Sequence, residues 1–495
     1  MSHDRNAATK IPGLDEVLGG GFTRGRLFLV EGVPGSGKTT LALQFLMAAA
    51  ARGEPVLYVT LSETEEELRA VATSHGWALE GITVHELIPS EAALEPDEQY
   101  TMFHASEVEL GATMQAVLKT VDVLRPTCVV IDSLSELRLL AGNALRYRRQ
   151  ILALKQFFVG RSCTAMLLDD MTSREQDLQM QSIAHGVVRL EQISPEYGSE
   201  RRRLRVVKYR GMEFRGGYHD YLIRKGGIEV FPRLVASEYR RTAIKGKLAS
   251  EISGLDSLLG GGIEQGTSTL IVGAAGTGKS TLAAQFAAAA AARGQRTAIF
   301  AFDEHPSTLI SRCTALKIDL ASPIETGVVT VRQIDPAELT PGEFAAAIQN
   351  AVSVQHASIV VIDSLNGCLN AMPEERFLTI QLHELLMFLG QQGVATILIG
   401  AHQGLIGAQM NTPVDASYLA DAIILLRYFE AMGEVRQAIS VVKKRGSRHE
   451  RTIREFFLND AGINIGEPLR DFRGVLTGVP VYDGSPKPLA DSKVL

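Results

Sequence analysis

The sequence predicts an α/β fold built twice. Each of two tandem domains is expected to be a mostly parallel sheet flanked by helices, with antiparallel strands added at its edge. Three observations predict this. First, the chain repeats itself. Residues 11–52 (IPGLDEVLGGGFTRGRLFLVEGVPGSGKTTLALQFLMAAAAR) return without a gap at 252–293 (ISGLDSLLGGGIEQGTSTLIVGAAGTGKSTLAAQFAAAAAAR). CVVIDSL (128–134) with IVVIDSL (359–365), and VVKYRG (206–211) with VVKKRG (441–446), follow in the same order. Second, short continuous apolar runs alternate with helical stretches, as in strands buried on both faces. Third, each copy joins its first apolar run to a helix through a glycine-rich turn.

The elements follow in order. Arg26–Glu31 is a short apolar run, and Gly37–Arg52 is helical after the glycine turn. Val56–Leu61 is a second β-like run, followed by an acidic helix start at Thr64. Cys128–Asp132, a helix over Arg146–Val159 and Thr164–Leu168 continue the alternation. After Ala184 the runs become closely spaced, at Val187–Gln192 and Leu204–Arg210, which suits antiparallel additions at an edge. Arg201-Arg202-Arg203 reads as a solvated turn. Units of about 240 residues are large enough to hold their own cores, so this is a duplication and not a solenoid. The domains are placed at 1–240 and 251–475. The polar, basic 241–250 forms the linker, and 476–495, rich in Pro, Gly, Asp and Lys, forms a flexible tail.

Composition bounds the function. Of 495 residues, 45% are apolar and 21% charged, which excludes a mainly disordered chain. Fifty basic against 56 acidic residues leave a net charge of −6, so no chain-wide basic footprint for nucleic acid exists. Cys128, Cys163, Cys313 and Cys368 are scattered and form no CxxC pair, which argues against a zinc knuckle and suits a reducing compartment. No apolar run is long enough to span a bilayer, and Met1–Lys10 lacks the apolar core of a signal peptide. A cytoplasmic protein is expected.

The two glycine turns fit G-x-x-x-x-G-K-[ST]. The first contains Gly32, Gly35, Ser36, Gly37, Lys38, Thr39 and Thr40; the second contains Gly273, Gly276, Thr277, Gly278, Lys279, Ser280 and Thr281. Glycines let successive backbone N–H groups turn inward around phosphate oxygens, and the following helix aims its positive end at them. Lys38 and Lys279 are expected on the β- and γ-phosphates of ATP, and Thr39 and Ser280 on Mg²⁺. Asp132 and Asp363 end apolar strands beside the phosphate crevice, where a carboxylate holds the hydrated Mg²⁺. Asp303 and Glu304, after the second strand of the second copy, are candidates to polarise an attacking water or hydroxyl. The first copy has Ser62 and Glu63 there, so only Glu63 is a candidate base.

GLDxxLGGG before each glycine turn, the acidic pair and the KxRG blocks together resemble the RecA-type ATPases of the KaiC group, the circadian-clock ATPase/kinase and its relatives. The resemblance covers nearly the whole chain, including LRDFRGVLTGVP at 469–480. It implies tandem RecA-like domains in a double-ring homohexamer, with ATP between neighbouring chains and an unidentified regulatory protein as partner. It also implies that Lys208 and Arg210, and Lys443 and Arg445, reach into a neighbour's site. Alternation on a strand puts residues i and i+2 on one face, as two such cations require. The resemblance further implies autophosphorylation in the second domain, with Ser417 and Thr412 at acceptor positions and Tyr418 where the paired acceptor would stand. A DNA-handling motor of the wider superfamily is the competing reading. It needs basic loops, yet Met171–Ala184 carries only Arg174 as a cation and the stretch after His402 carries none. An ATP-binding scaffold with little turnover is the third.

Overall fold

The structure, a computed structural model, describes residues 5–87, 105–171, 178–195, 198–239, 246–335, 337–370, 378–401, 418–477 and 480–482. Its contacts divide the chain into a first unit, Met1–Arg233, and a second, Leu234–Leu495.

In the first unit, β1 (Leu27–Gly32) leads through the glycine turn to α1 (Lys38–Ala50). Then come β2 (Val56–Thr60), α2 (Glu65–Ser74), β3 (Ile82–Glu86), α3 (Ala105–Leu124), β4 (Cys128–Asp132), α4 (Leu134–Ala141), α5 (Ala144–Gly160) and β5 (Thr164–Asp169). A short α6 (Leu178–Ile183) precedes β6 (Gly186–Ile193), β7 (Arg201–Tyr209), β8 (His219–Arg224) and β9 (Gly227–Phe231). The sheet order is β9-β8-β7-β6-β1-β5-β4-β2-β3. The strands from β6 to β3 in that order pair in parallel, and β7, β8 and β9 add antiparallel. β1, β2, β4 and β5 are buried along their whole length. Their side chains divide between two cores, one holding Phe28, Val30, Tyr58 and Val130, the other Leu29, Leu57, Val129 and Leu167. Alternation within each strand feeds the two faces in turn.

The second unit repeats the plan with β10 (Ser268–Gly273), α7 (Lys279–Ala292), β11 (Thr297–Ala301), α8 (Pro306–Ala315), β12 (Val329–Gln333), α9 (Pro341–Ser353), β13 (Ile359–Asp363), α10 (Leu378–Gln391), β14 (Ala395–Ala401), β15 (Ala422–Ala431), β16 (Glu434–Lys444), β17 (Arg454–Asn459) and β18 (Gly462–Pro468). Its order, β12-β11-β13-β14-β10-β15-β16-β17-β18, matches the first unit strand for strand.

Local chemistry fixes the element ends. Thr64 caps α2: its hydroxyl accepts from the Glu67 amide and the Glu67 carboxylate accepts from the Thr64 amide, a reciprocal capping box. Gly37 and Gly278 stand at the N-caps of α1 and α7 with φ near +89° and +88°, a backbone that a side chain would strain.

Arg201-Arg202-Arg203 is not a solvated turn. The three residues open β7, with Ile193 opposite Arg201 and Glu191 opposite Arg203. Arg203 pairs with Glu191 at 2.9 Å and stacks over Tyr218, so a partner across the ladder pays for placing cations in a strand. Around the proposed linker, Ala236 packs in a core of the second unit, and Lys247–Leu248 pair antiparallel with Ile263–Glu264. Beyond residue 475, Val481–Tyr482 pair with Phe472–Arg473. Among the described residues no helix is long and apolar enough to cross a membrane, and all four cysteines are buried and free.

Candidate functional site

The first glycine turn and the carboxyl ends of β2, β4 and β5 converge. Thr39 donates its hydroxyl to Asp132 at 3.0 Å, and the buried Tyr58 hydroxyl donates to the same Asp132 oxygen at 2.5 Å. Burial raises the Asp132 carboxyl above the usual range against both hydrogen bonds. Lys38 is 5% exposed. Its ammonium bonds the carbonyls of Gly32 (2.8 Å) and Val33 (3.1 Å) and pairs with Asp170 at 2.8 Å. Asp170 also accepts from Ser135 at 3.2 Å. Glu63 points one buried oxygen, Oε2, at no hydrogen-bond partner among the described residues. Burial, then the charges of Asp132, Glu67 and Asp170, push its carboxyl up.

The second site shares the frame and differs in its charges. Burial raises the Asp363 carboxyl, and its hydrogen bond from Ser280 opposes that rise. Lys279 bonds the Ala274 carbonyl at 2.7 Å, and burial lowers its ammonium. Ser364 donates a short hydrogen bond to Asp303. Glu304 forms a two-pronged ion pair with Arg312, at 2.5 and 2.9 Å. The two expected base candidates are therefore unlike: Glu304 is neutralised within its own unit and Asp303 is not.

A threonine or serine hydroxyl beside a strand-end aspartate, under an inward-turned glycine loop, fits a hydrated Mg²⁺ carried in with a nucleotide. The residues present suit ATP and Mg²⁺ in both units.

The Lys-x-Arg pairs lie elsewhere. Lys208 faces Val187, which faces Leu29; the glycine loop follows Gly32, three residues further along β1. Likewise Lys443 faces Ile423, which faces Leu270, three residues short of Gly273. At about 3.3 Å per residue the cations sit roughly 10 Å toward the opposite end of the sheet from their own phosphate cradle. Lys208 donates to the Gln181 carbonyl and Arg210 to the Ser182 carbonyl, at the end of α6. Burial, then Arg210 and Lys155, lower the Lys208 ammonium. In the second unit Arg445 lies 3.5 Å from Asp421. Ser417, Thr412 and the loop after His402 lie outside the described residues, as does Arg174.

Sequence reasoning missed Asp170, Tyr58, Ser364 and Arg312. Asp170 alone carried a signal: with Asp169 it ends an apolar run beside the phosphate strand, as Asp132 does. The others act through contacts across 61 and 74 positions or from a helix face, which spacing does not display.

A family model described as the KaiC ATPase matches residues 7–235 and 248–470. The circadian clock protein KaiC3 of Synechocystis sp. is 28% identical over 96% of this chain and 94% of its own length. The circadian clock oscillator protein KaiC of Thermostichus vulcanus is 28% identical over 95% of this chain and 91% of its own. That of Synechococcus elongatus is 27% identical over the same shares.

Proposed function

This chain belongs to the KaiC ATPase family, and on that premise we propose that it is an ATP-hydrolysing regulatory protein working as a double-ring homohexamer. ATP is held between neighbouring subunits, and the second domain is a Ser/Thr autokinase. By the repeat the domains are placed at 1–240 and 251–475, joined by 241–250, with 476–495 as a tail, while Leu234, Ala236 and Tyr239 already pack with the second unit. The supporting observation is the placement of Lys208/Arg210 and Lys443/Arg445 at the far end of the sheet from their own glycine loops. Such cations serve a phosphate only if it belongs to another subunit. There they neutralise charge that develops on the γ-phosphoryl group.

Thr39 with Asp132, and Ser280 with Asp363, would hold Mg²⁺, which would supply charge neutralisation on the phosphates. The loop amides and Lys38 or Lys279 orient the nucleotide. In the second domain Asp303, fixed by Ser364, accepts the proton of the attacking water or hydroxyl. Glu304, held by Arg312, shapes the loop. In the first domain the unpaired Glu63 takes the base role. Ser417 is the acceptor we favour and Thr412 the second. Output passes through a regulatory protein partner, in the cytoplasm.

Intact-protein mass after incubation with Mg²⁺ and ATP tests this, with Asp303→Asn alongside. A phosphoryl increment on the unaltered chain alone, mapped to the peptide carrying Ser417 or Thr412, is the expected result. Phosphate release without any increment removes the autokinase and leaves the ATPase. Release by neither protein removes both.

A further inference from the structure

The two sites share their fold but treat the loop lysine differently. In the parallel ladder Asp169 faces Glu31, one residue before Gly32. In the second unit Gly400 faces Val272 in the same place. The next residues, Asp170 and Ala401, therefore occupy equivalent positions at the lip of each site. A carboxylate stands there in the first unit and a methyl group in the second.

The first carboxylate is engaged. Asp170 lies 2.8 Å from the Lys38 ammonium and is steadied by the Ser135 hydroxyl at 3.2 Å. The chain beneath it is anchored, because Asp169 is salt-bridged to Arg138 at 2.7 Å and accepts from the Met171 amide at 3.1 Å. Lys38 is thus satisfied before any phosphate arrives. Lys279 donates only to the Ala274 carbonyl among the described residues, with no carboxylate paired to it there.

A P-loop lysine serves the β- and γ-phosphates. A nucleotide entering the first site must take Lys38 from Asp170, and then leaves that carboxylate facing phosphate oxygens. The added like charge is felt most by the terminal phosphate, since the loop amides and the helix end hold the β-phosphate from the other side. We propose that Asp170 is a specificity-determining residue that makes the first site favour the nucleoside diphosphate over the triphosphate, a preference the second site lacks. This rests on both glycine loops binding nucleotide, but not on the hexamer or the autokinase.

The test is displacement of the fluorescent analogue mant-ADP, with Mg²⁺, from the full-length chain carrying Lys279→Ala, so that only the first site reports. ADP and the non-hydrolysable triphosphate AMPPNP are the competitors. Asp170→Asn keeps the shape and the Ser135 hydrogen bond and removes the charge. It should move the ADP-to-AMPPNP affinity ratio by about tenfold or more toward the triphosphate. The reciprocal Ala401→Asp, made with Lys38→Ala, should move the second site's ratio the other way. An unchanged ratio in Asp170→Asn overturns the proposal. So does equal weakening of both nucleotides with a lower melting temperature, since that marks a merely structural aspartate. If Lys279→Ala prevents folding, the chain with Lys279 intact gives the same answer: only one of the two displacement phases should shift on Asp170→Asn. Failure of ADP and AMPPNP alike to displace the probe from the unaltered chain removes the nucleotide reading together with this one.

Discussion

Glu63 and Glu304 follow the second parallel strand in equivalent places, yet among the described residues Glu304 has an ion-pair partner and Glu63 has none. Arg312 reaches Glu304 from α8, while α2 has Val71 at the matching position. Burial first, then Asp132, raises the Glu63 carboxyl, so folding favours its protonated form. A group with a raised folded pKa gives stability that is present below its ordinary range and lost as pH rises through the raised value. Glu63 therefore costs the first unit stability at neutral pH. Glu63→Gln should raise that unit's melting temperature at pH 8, by about 2 °C, and leave it unchanged at pH 4. The same change should cut phosphate release from the first site by roughly 10²-fold or more, as loss of a general base does. Calorimetry at the two pH values, with a release assay in Lys279→Ala, reads both. A fall in stability at pH 8 would show that Glu63 is a structural acid.

Between elements, the repeat supplies its own control. Glu31, on β1, is salt-bridged to Arg189 of β6 at 2.6 Å, and both are nearly buried. Gln181 also donates to Glu31, at 3.0 and 3.2 Å. The second unit fills the same ladder positions with Val272 and Leu425. A buried pair is costly to break and cheap to replace by matched apolar groups. Arg189→Leu should destabilise the first unit by about 3–5 kcal/mol. Glu31→Val/Arg189→Leu, which copies the second unit, should recover most of that loss in urea titrations. Such pairs explain how much was legible beforehand. Cys128–Asp132 and its repeat announce themselves because a strand buried on both faces is a run of apolar residues, and the glycine loops because phosphate binding needs consecutive residues. Glu31–Arg189, Lys38–Asp170 and Tyr58–Asp132 join elements far apart in sequence, and no local period records them. The inner strand that opens with Arg201–Arg203 reads as a turn for the same reason: Arg203 is balanced by Glu191 and Tyr218, which lie elsewhere in the sequence.

At the scale of the molecule, the direction of the strands decides how the sites must be completed. Parallel strands put both glycine loops at their carboxyl ends. The antiparallel return of β7 and β16 carries Lys208 and Lys443 back to the opposite end. Within each unit the sheet lies between the two, so on the proposed reading a loop meets a cation pair only across a subunit interface. Two defects in different chains should therefore complement each other. One chain carries Lys38→Ala/Lys279→Ala and keeps its cation pairs. The other carries Lys208→Ala/Arg210→Ala/Lys443→Ala/Arg445→Ala and keeps its loops. Each alone should release phosphate at a small fraction of the unaltered rate. Mixed and allowed to exchange subunits, they should regain activity, since some interfaces then pair an intact loop with an intact cation pair. For equal mixing, about a quarter of the interfaces would be wholly intact, which sets the scale of recovery under independent sites. Recovery that rises with total protein concentration would follow from ATP sites formed by assembly. Activity that stays at the sum of the two defective chains, while subunit exchange is verified by mass, would place the cations outside the reaction and confine each site to a single chain.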